Sequence, residues 1–333
     1  MRQLHLLIAG LCPDFGRETE SVLAQTPTPE LLKLLGRGER QPLEQDCLSA
    51  RLATLFHLDH AGQAPLARWR AAADGLAEPD GLLCADPVHL QLMLDHLRMA
   101  GHAPSLSMAE AAALVASLNR HFADEISFVA ATPQHWYARL PRPAAIRSTP
   151  LDRARGRSLT ACLPGGADGA LFQRLLNEAQ MLLHEHPVNA AREARGTEAV
   201  NSVWFWGEGD GGRPAADFDL VLADHPLALA LATAAGIPTA PLPRQLQPAR
   251  LAGRRVLVVH DGLLAPALDG QVELWRAELG RLESEWFAPL RAALRIGKLG
   301  RLQLERLGDP ASRHSLTLLS GWQAWRRAGS LCT

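Results

Sequence analysis

The strongest constraint on the fold is a short run of apolar residues that leads into a glycine-rich segment. Residues 203–206 read Val-Trp-Phe-Trp, and residues 207–212 contain four glycines. A strand that is apolar at every position is buried on both faces, which is typical of central strands in α/β sheets. Such folds place their binding sites where strand ends meet flexible loops. We therefore predict an α/β fold with a central strand at 203–206 and a site at its carboxyl end.

A helix is predicted immediately before this strand. Pro187 interrupts its apolar pattern and Gly196 ends it, because proline cannot continue a helix and glycine is a common stop. Arg192 and Arg195 lie in its last turns. Their guanidinium groups could bind a phosphate or a carboxylate, and the alternative is a solvated helix end. The sequence leaves both interpretations open.

The two ends of the chain alternate predicted strands and helices, which indicates a mostly parallel sheet. The strands are predicted at 4–9, 218–222 and 254–260, with edge strands at 299–307 and 316–319. The helices are predicted from Pro29 to Gly36 or Gly38, and at 44–58, 226–235 and 271–294.

The middle of the chain has a different character. Residues 107–120 predict a helix with a capping box formed by Ser107 and Glu110. A hairpin is predicted from the strand patterns at 126–130 and 136–140. The proline- and arginine-rich residues that follow, 141–164, predict a surface loop. This region is therefore predicted to be α+β, with antiparallel strands.

Composition narrows the functional classes. The 333-residue chain carries a formal net charge of −1, which gives no bulk attraction for nucleic acid or for an anionic membrane. Its five cysteines are scattered, as is typical of reduced thiols in a cytoplasmic protein. No run reaches the roughly 18 apolar residues that a membrane span needs. We expect a soluble, cytoplasmic protein without membrane or nucleic-acid partners.

Two motifs invite a cofactor or metal interpretation that their context does not support. Residues 207–212 have the spacing of a dinucleotide fingerprint, but an Arg-Pro pair stands where the helix of that motif should begin. His184 and His186 flank a glutamate. Residues two apart on a helix face different directions, so capping or surface roles explain these histidines better than a shared metal.

A few other residues are candidates for chemistry. Asp224-His225 and His260-Asp261 are the better metal candidates, although a hydrogen-bonded pair is the ordinary explanation for each. Ser49, close to Cys47, is the candidate nucleophile, without a recognisable elbow or partner pattern around it.

The segment 186–209 resembles the central motif of archaeal-type, cofactor-independent phosphoglycerate mutases. In that family a His-Pro-x-Asn-x-x-Arg helix precedes an Ala-Asn pair, a strand and a Gly-x-Gly loop. Residues 26–39 and 257–294 are similar to an early helix and to a late strand and helix of the same family. A bacterial branch, the RpfE-type regulatory proteins, shares the segments at 85–90 and 201–207. The matching positions are His186, Pro187, Asn189, Asn201, Gly207 and Gly209, with Arg192 close to the basic position.

The resemblance implies an alkaline-phosphatase-like α/β core with an inserted α+β cap domain. The implied boundaries agree with the change in pattern: core at 1–81, cap at 82–196, and core again at 197–333. A small phosphorylated or carboxylated ligand would bind between core and cap. The implied ligand-binding residues are His186, Asn189, Arg192, Arg195, Asn201, Gly207 and Gly209.

The chain departs from the family where the family holds its metals. Active mutases of this type bind two divalent metals through Asp and His, and they pass the phosphoryl group through a Ser or Thr nucleophile. Here Ala9-Gly10 replaces an Asp-Gly pair, and residues 261–265 lack an Asp-x-x-x-His pattern. The family's Asp-His pair has no counterpart around Glu305-Arg306, and the nucleophile loop falls near Ser49. Because each metal needs about four to six donors, most of the ligand set is missing.

We therefore expect a degenerate phosphoglycerate-mutase-like protein that is regulatory and non-catalytic, with no cofactor. The alternative is an active mutase or phosphatase that binds manganese or zinc in a rearranged site, with Ser49 as nucleophile. Its metal ligands would be drawn from Asp14, Asp224, His225, His260 and Asp261. A second alternative is a protein-interaction module whose surface includes Trp322 and Trp325.

Overall fold

The structure, a computed structural model, describes residues 2–58, 64–94, 96–209, 212–246, 254–322 and 329–331. The chain forms two compact units. The first unit combines Met1–Leu52 with Pro214–Thr333, and the second unit is Ala53–Arg213. The domain boundaries predicted at 82 and 197 thus fall inside the second unit. In the described part of the chain, no helix has both the length and the apolar character of a membrane span.

The strands and helices are numbered here in chain order. The strands are β1 (Gln3–Ile8), β2 (Glu39–Pro42), β3 (Leu82–Val88), β4 (Leu90–Leu92), β5 (Leu97–Met99), β6 (Ser127–Ala130), β7 (Trp136–Arg139), β8 (Ser202–Trp206), β9 (Leu220–Leu222), β10 (Thr239–Ala240), β11 (Arg255–His260), β12 (Arg301–Arg306) and β13 (Ser312–Thr317). The helices are α1 (Thr19–Ala24), α2 (Pro29–Arg37), α3 (Leu48–Leu55), α4 (Leu66–Ala73), α5 (Met108–His121), α6 (Leu151–Ala154), α7 (Gly169–His184), α8 (Pro187–Ala194), α9 (Pro226–Ala234), α10 (Leu264–Leu268), α11 (Val272–Leu282), α12 (Ala288–Arg295) and α13 (Leu318–Trp322).

Within the described residues, the first unit holds a seven-stranded sheet in the order β10-β9-β11-β1-β12-β13-β2. In this order the first five strands, β10, β9, β11, β1 and β12, are parallel to their neighbours. Strand β13 is antiparallel to both β12 and β2. The prediction of an α/β fold with a mostly parallel sheet is confirmed. The predicted edge strands are wrong, because β12 and β13 are internal and residues 318–322 are helical. One edge is β2, whose exposed polar residues gave no strand signal in the sequence.

Alternation along β1 explains how this sheet is buried. Leu4, Leu6 and Ile8 belong to one core, together with apolar residues of α2, α11 and α12. The neighbouring residues of β1 point to the opposite face, because side chains alternate along a strand. On that face the ring of His5 packs edge-on against Phe218, with 5.7 Å between ring centroids. The second face of the sheet therefore carries titratable groups, since His5 also lies 2.9 Å from Glu305 Oε1.

The long helix predicted at 271–294 is present with one interruption. A single π-helical turn, Glu283–Phe287, joins α11 to α12 and keeps Trp286 and Phe287 buried. The carboxylate of Glu283 accepts the backbone N–H groups of Glu30 and Leu31 at 2.5 and 3.1 Å. A negative charge at that position stabilises the first turn of α2, whose leading N–H groups have no partner within the helix.

The second unit, in its described residues, contains a four-stranded antiparallel sheet in the order β6-β7-β3-β8 and a two-stranded ribbon, β4-β5. The predicted hairpin and the predicted capping box of α5 are both present, with Glu110 N donating to Ser107 Oγ at 3.2 Å. The predicted antiparallel character of this part of the chain is confirmed.

Strand β8 does not hold the central position that its apolar pattern predicts. It lies at an edge of the four-stranded sheet, antiparallel to β3. All of its residues are nevertheless buried. On one face Phe205 packs edge-on against Phe172 of α7, with 5.0 Å between ring centroids. The side chain of Trp204, which points to the opposite face, donates from Nε1 to Thr149 O at 2.8 Å. Burial depends on the layers that cover the sheet, so an apolar pattern does not reveal the order of the strands.

The proline- and arginine-rich segment at 141–164 is more structured than the predicted surface loop. It contains α6 and a 3₁₀ turn, Leu159–Cys162. Its apolar side chains Ile146, Leu151, Ala154 and Cys162 are buried. These scattered residues have neither strand nor helix periodicity, and only the packing of the second unit shows that they are anchors.

Candidate functional site

The first candidate region is the carboxyl edge of the parallel strands in the first unit. The last residues of β9, β11, β1 and β12 are Leu222, His260, Ile8 and Arg306. These neighbouring strands are parallel, so all four ends meet at one edge. Open α/β sheets bind their ligands outside this edge. The residues predicted as metal ligands in the rearranged-site alternative follow the strands at the same edge.

Two of the predicted metal ligands accept backbone N–H groups. Asp14 is exposed and accepts Gly16 N at 3.0 Å, and Asp224 is exposed and accepts Leu242 N at 3.1 Å. His225 is the residue before the first turn of α9. Within the described residues, no group of three or more His, Cys, Asp or Glu side chains is arranged to hold a metal ion.

His260, the last residue of β11, is buried, and its ring contacts two charged residues of helix α11. Its Nε2 lies 3.1 Å from Glu278 Oε1 and 3.1 Å from Arg281 Nη2. Arg281 also donates to Glu278 at 2.6 Å. Burial raises the pKa of Glu278, but the hydrogen bonds from Arg281 and His260 outweigh it and lower the pKa to about 2. This ion network ties β11 to α11, although His260 Nδ1 is buried without a hydrogen-bond partner.

A second buried cluster surrounds Glu305, one residue before the end of β12. Glu305 is 0% exposed. Arg51 of α3 donates to both of its oxygens at 2.6 and 2.8 Å, and Arg313 of β13 donates at 2.7 Å. His5 Nε2 lies 2.9 Å from Glu305 Oε1. Burial raises the pKa of Glu305, yet these basic partners hold it well below its ordinary value. Ser49, the predicted nucleophile, is buried in the same helix, α3, two residues before Arg51.

The turn after β1 is packed too closely to carry a larger residue than glycine. Gly10 has a φ of +84°, and a Cβ there would lie 2.5 Å from the carbonyl carbon of Leu263. Trp275 Nε1 donates to the carbonyl of Gly10 at 2.8 Å. The Ala9-Gly10 pair is therefore a tight junction between β1 and the segment before α10.

We expect a Gly10→Ala variant to be destabilised more than a Gly270→Ala variant, by about 1–3 kcal/mol. Both glycines have positive φ, so both substitutions incur the left-handed penalty of about 1–2 kcal/mol. Only at Gly10 does the added Cβ meet backbone atoms, whereas nothing lies within 4 Å at Gly270. Urea unfolding of the two variants measures the difference. Equal losses would contradict the close packing at Gly10.

The predicted ligand-binding residues lie in the second unit, and the structure gives each of the two asparagines partners inside the chain. Asn189 is 0% exposed and donates to Leu183 O and Val200 O at 2.7 and 2.8 Å. It also accepts Val200 N at 2.9 Å. Asn201 exchanges two hydrogen bonds with the backbone of Leu90. Both side chains thus fasten the start of β8 to its surroundings.

The two predicted arginines share one carboxylate. Arg192 is buried, and it donates to Glu198 O at 2.8 Å and to Glu110 Oε1 at 3.3 Å. Arg195 donates to the same oxygen of Glu110 at 2.8 Å, with its side chain 60% exposed. The hydrogen bonds from Ser107 and Arg195 lower the pKa of Glu110 to about 2. Arg195 is thus an exposed cation, whereas Arg192 is buried.

His186 caps helix α8, which confirms the prediction of a capping role in the His-Glu-His run. Val188 N donates to its Nδ1 at 3.2 Å, so the neutral ring carries its proton on Nε2. That nitrogen lies 2.9 Å from Ser117 Oγ. Burial and the nearby Arg120 lower the pKa of His186. His186 therefore donates to Ser117 and does not act as a base toward it, although both line a cavity of about 620 Å³.

The glycine loop after β8 is shaped by close packing in the second unit. A Cβ at Gly207 would lie 2.9 Å from Ala67 N, and one at Gly209 would lie 2.8 Å from Pro65 N. Between them Glu208 accepts Ser148 N at 2.7 Å. Glu208 and Gly209 also line a cavity of about 600 Å³ together with residues 143–147. A cavity therefore borders this loop, and the functional site predicted at the carboxyl end of β8 stays a prediction.

We expect an Asn189→Ala variant to lose about 2–3 kcal/mol of unfolding free energy, because it leaves the buried Val200 N–H and two carbonyls without a partner. The matched control is Asn177→Ala, an exposed asparagine in α7, where alanine is the better helix former. Thermal or urea unfolding gives both values. A loss below that of the control would show that Asn189 is not a structural fastener.

Several buried charged residues of the structure were missed by sequence reasoning. Their partners are far apart in the chain, such as Arg51 with Glu305 and Arg70 with Asp86. The available signal was a charged residue inside a strand, as with Asp86 within the mostly apolar β3 and Glu305 within β12. Such charges need a buried partner. Trp325 and the side chain of Trp322, the predicted interaction surface, lie outside the described residues.

Three comparisons relate the chain to known proteins. No model of a known protein family matches it. The 2,3-bisphosphoglycerate-independent phosphoglycerate mutase of Methanosarcina barkeri is 31% identical over 160 residues, which cover 45% of this chain and 37% of that enzyme. The mutase of Methanosarcina mazei is 36% identical over 66 residues, which cover 20% of this chain and 17% of that enzyme.

One solved structure that matches is the cofactor-independent phosphoglycerate mutase from Thermoplasma acidophilum. The match covers 95% of this chain and 89% of that chain, with 14% identity and a TM-score of 0.46. The sequence matches span well under half of the curated mutases. Through these shared segments, the chain is related to the archaeal cofactor-independent phosphoglycerate mutases.

Proposed function

We propose that this chain is a degenerate phosphoglycerate-mutase-like protein of the RpfE type, with an alkaline-phosphatase-like core and without di-metal catalysis. In this proposal it is a cytoplasmic bacterial regulator that binds a small phosphorylated or carboxylated ligand. The observation that carries the proposal is the buried Glu305 cluster near the carboxyl edge of the first unit. There a single carboxylate has two arginines as partners, Arg51 and Arg313.

The net positive charge of this cluster disfavours the binding of a divalent metal ion. One carboxylate faces two permanently charged guanidinium groups, and a third arginine, Arg306, follows it in the chain. Hard divalent cations need several free oxygen donors. Both oxygens of Glu305 already accept hydrogen bonds from arginine. Among the described residues, Glu305 is the only acidic group of this cluster. A metal ion that bound to it would therefore have to displace the arginines that now donate to it.

The edge of β1 supports the same conclusion. The resemblance places an acidic ligand at Ala9, and this chain has a buried methyl group there, next to the tight turn at Gly10. An anionic ligand, in contrast, suits a cluster in which the single carboxylate of Glu305 is shared by Arg51 and Arg313. In this proposal Arg195, as the exposed cation of the predicted set, contributes to ligand binding.

The test is a coupled assay for conversion of 3-phosphoglycerate to 2-phosphoglycerate. The chain is stripped of metal, and manganese or zinc is then added back. A mutase from Methanosarcina serves as the positive control. We expect no turnover and no stoichiometric retention of manganese after gel filtration.

Metal-dependent turnover that is lost in a Ser49→Ala variant would contradict this proposal. It would instead support an active mutase or phosphatase with a rearranged site. Measuring metal retention separately matters, because a chain that binds manganese without turnover would also contradict the proposed loss of the metal site.

A further inference from the structure

The C-terminal residues 329–331 lie against the sheet of the first unit. Gly329 N donates to Leu32 O in α2 at 2.8 Å. A Cβ on Gly329 would lie 2.8 Å from Gly36 N and 2.9 Å from Leu35 Cβ, so the segment approaches α2 very closely. Leu331 is 6% exposed and belongs to the apolar core that includes β1. The segment is therefore anchored at both of its ends.

The carbonyl of Leu331 is held at the carboxyl edge of the parallel strands. Cys12, which follows β1, donates its thiol hydrogen to this carbonyl, with 2.8 Å between Sγ and oxygen. Arg306, the last residue of β12, donates to the same oxygen through Nη1. Ile8 and Arg306 are partners in the parallel register of β1 and β12. A backbone carbonyl thus occupies the place where an α/β sheet exposes the ends of adjacent strands to a ligand.

The hydrogen-bond partners of the Arg306 guanidinium are neutral backbone carbonyls. It is 1% exposed. Nη1 donates to Leu331 O, and Nη2 donates to Pro310 O at 3.1 Å. Its Nε is buried without a hydrogen-bond partner. Among the described residues no carboxylate pairs with Arg306, whereas buried guanidinium groups are normally paired with an anion.

A neutral carbonyl is a weak substitute for an oxyanion at such a position. Hydrogen bonds between a guanidinium and a charged oxygen are about twice as strong as those to neutral acceptors. The carbonyl of Leu331 competes because the chain itself holds it in place, which gives it a high effective concentration. A free phosphate or carboxylate has the stronger bond but lacks this advantage.

We propose that Arg306 and Cys12 form a binding site for a small oxyanion, and that the C-terminal segment 329–331 blocks it by placing the Leu331 carbonyl in the anion's position. The inference rests on the proposed function for the class of ligand, and on the contacts of Arg306 for the place. The C-terminal segment and the anion then exclude each other. The apparent affinity for the anion falls in proportion to the fraction of molecules in which the segment is displaced.

Substitution of Gly329 tests the block without touching the site. Gly329→Val in the full-length chain places atoms against α2 and displaces the segment. We expect this variant to bind inorganic phosphate at least ~10-fold more tightly than the unchanged chain in calorimetric titrations, because the open fraction rises. Adding Arg306→Lys to Gly329→Val removes the planar fork and should abolish the gain. Gly280→Ala is the control, since nothing lies within 4 Å of its Cβ.

The titrations are made at matched chloride ionic strength, so that general screening is the same in every arm. Circular dichroism confirms that each variant is folded. A folded Gly329→Val variant with unchanged phosphate affinity would overturn the proposal. A gain that persists in the double variant would overturn the role of Arg306.

The thiol of Cys12 gives a second readout that needs no destabilising variant. In a Cys332→Ser background, the alkylation rate of Cys12 is followed by mass spectrometry with and without phosphate. The bound anion takes the place of the Leu331 carbonyl beside the thiol, and its negative charge disfavours the reactive thiolate, so phosphate should slow the labelling of Cys12. Glycerate in place of phosphate shows whether a carboxylate suffices.

The two proposals can fail separately. Labelling that responds to neither anion would overturn the block, even if the chain lacks mutase turnover. Manganese-dependent turnover would contradict the proposed function and leave the labelling result in place.

Discussion

An Asp86→Asn variant is expected to lose about 3–5 kcal/mol of unfolding free energy, because breaking a buried ion pair leaves a buried charge without compensation. Asp86 lies within β3, and its side chain is 2% exposed. Its two oxygens accept Arg70 Nη1 and Nη2 at 2.7 and 2.6 Å, and one of them also accepts Trp206 Nε1 at 2.7 Å. Asparagine offers one acceptor oxygen and turns an NH₂ group toward these donors.

The pair is part of a longer buried network, which explains the size of the effect. Arg70 Nε donates to Tyr137 Oη at 2.9 Å, and Tyr137 donates to Asp74 at 2.5 Å. Asp74 in turn lies 3.0 Å from His135 Nδ1. Burial lowers the pKa of Arg70, but Asp86 and the neighbouring groups raise it well above its ordinary value. Because arginine is effectively always protonated in proteins, Arg70 stays charged in the Asp86→Asn variant.

Urea unfolding measures the loss, and Asp80→Asn is the matched control. Asp80 pairs with Arg68 at 2.7 Å, but its side chain is 72% exposed, so removing that charge should cost less than about 1 kcal/mol. Replacing both members, Arg70→Met with Asp86→Leu, should recover much of the loss, because apolar pairs of similar size are tolerated in place of buried ion pairs. An Asp86→Asn variant as stable as the control would contradict the buried network.

A Glu305→Gln variant is the second large expected effect, again about 3–5 kcal/mol. The substitution leaves Arg51 and Arg313 buried or half-buried without their carboxylate. Glu273→Gln is the control, because Glu273 pairs with Arg276 while 84% exposed. Both residues belong to the first unit, so urea unfolding followed by the same probe compares them directly.

The pH dependence of this effect has a defined sign. The folded-state pKa of Glu305 is well below the ordinary value of 4.5, because His5 and Arg51 outweigh the effect of burial. The unfolded chain therefore binds a proton at higher pH than the folded chain does, and folding stability contributed by Glu305 is fully present above pH 4.5. It is lost as the pH falls below 4.5 toward the folded-state pKa. The difference in unfolding free energy between the unchanged chain and Glu305→Gln should therefore shrink as the pH falls below 4.5. A difference that stays constant would contradict the lowered pKa of Glu305 in the folded state.

Much of the local structure was predictable because it depends on neighbours in the chain. The capping box at Ser107 and Glu110, the hairpin of β6 and β7, and the parallel strands β1 and β11 follow from short-range patterns. The cap role of His186 follows from Pro187 at the first position of α8. The resemblance to the mutases was also visible in the sequence of the segment 186–209, which contains His186 and Pro187.

The errors arose where strand order or long-range packing decided the outcome. β8 is apolar at four of its five positions and yet lies at a sheet edge, since helix α7 and the loop at Thr149 bury it instead of further strands. The alternation of apolar and polar residues along β12 predicts an edge strand, but the polar Glu305 is buried against Arg51 from α3. An alternating pattern cannot distinguish a solvated face from a face of buried ion pairs.

The candidate site shows the same division. The sequence by itself determined that Ala9 stands where the mutases it resembles have an aspartate, and that residues 261–265 lack their Asp-x-x-x-His pattern, because both depend only on which residues are present. It also determined the mixed α/β character through hydrophobic periodicity. Only the tertiary structure decided that Asn189 and Asn201 fasten β8, that Arg51 neutralises Glu305, and that Leu331 reaches Arg306. Those contacts join residues far apart in the chain, and their energies depend on burial and on distances that no local pattern encodes.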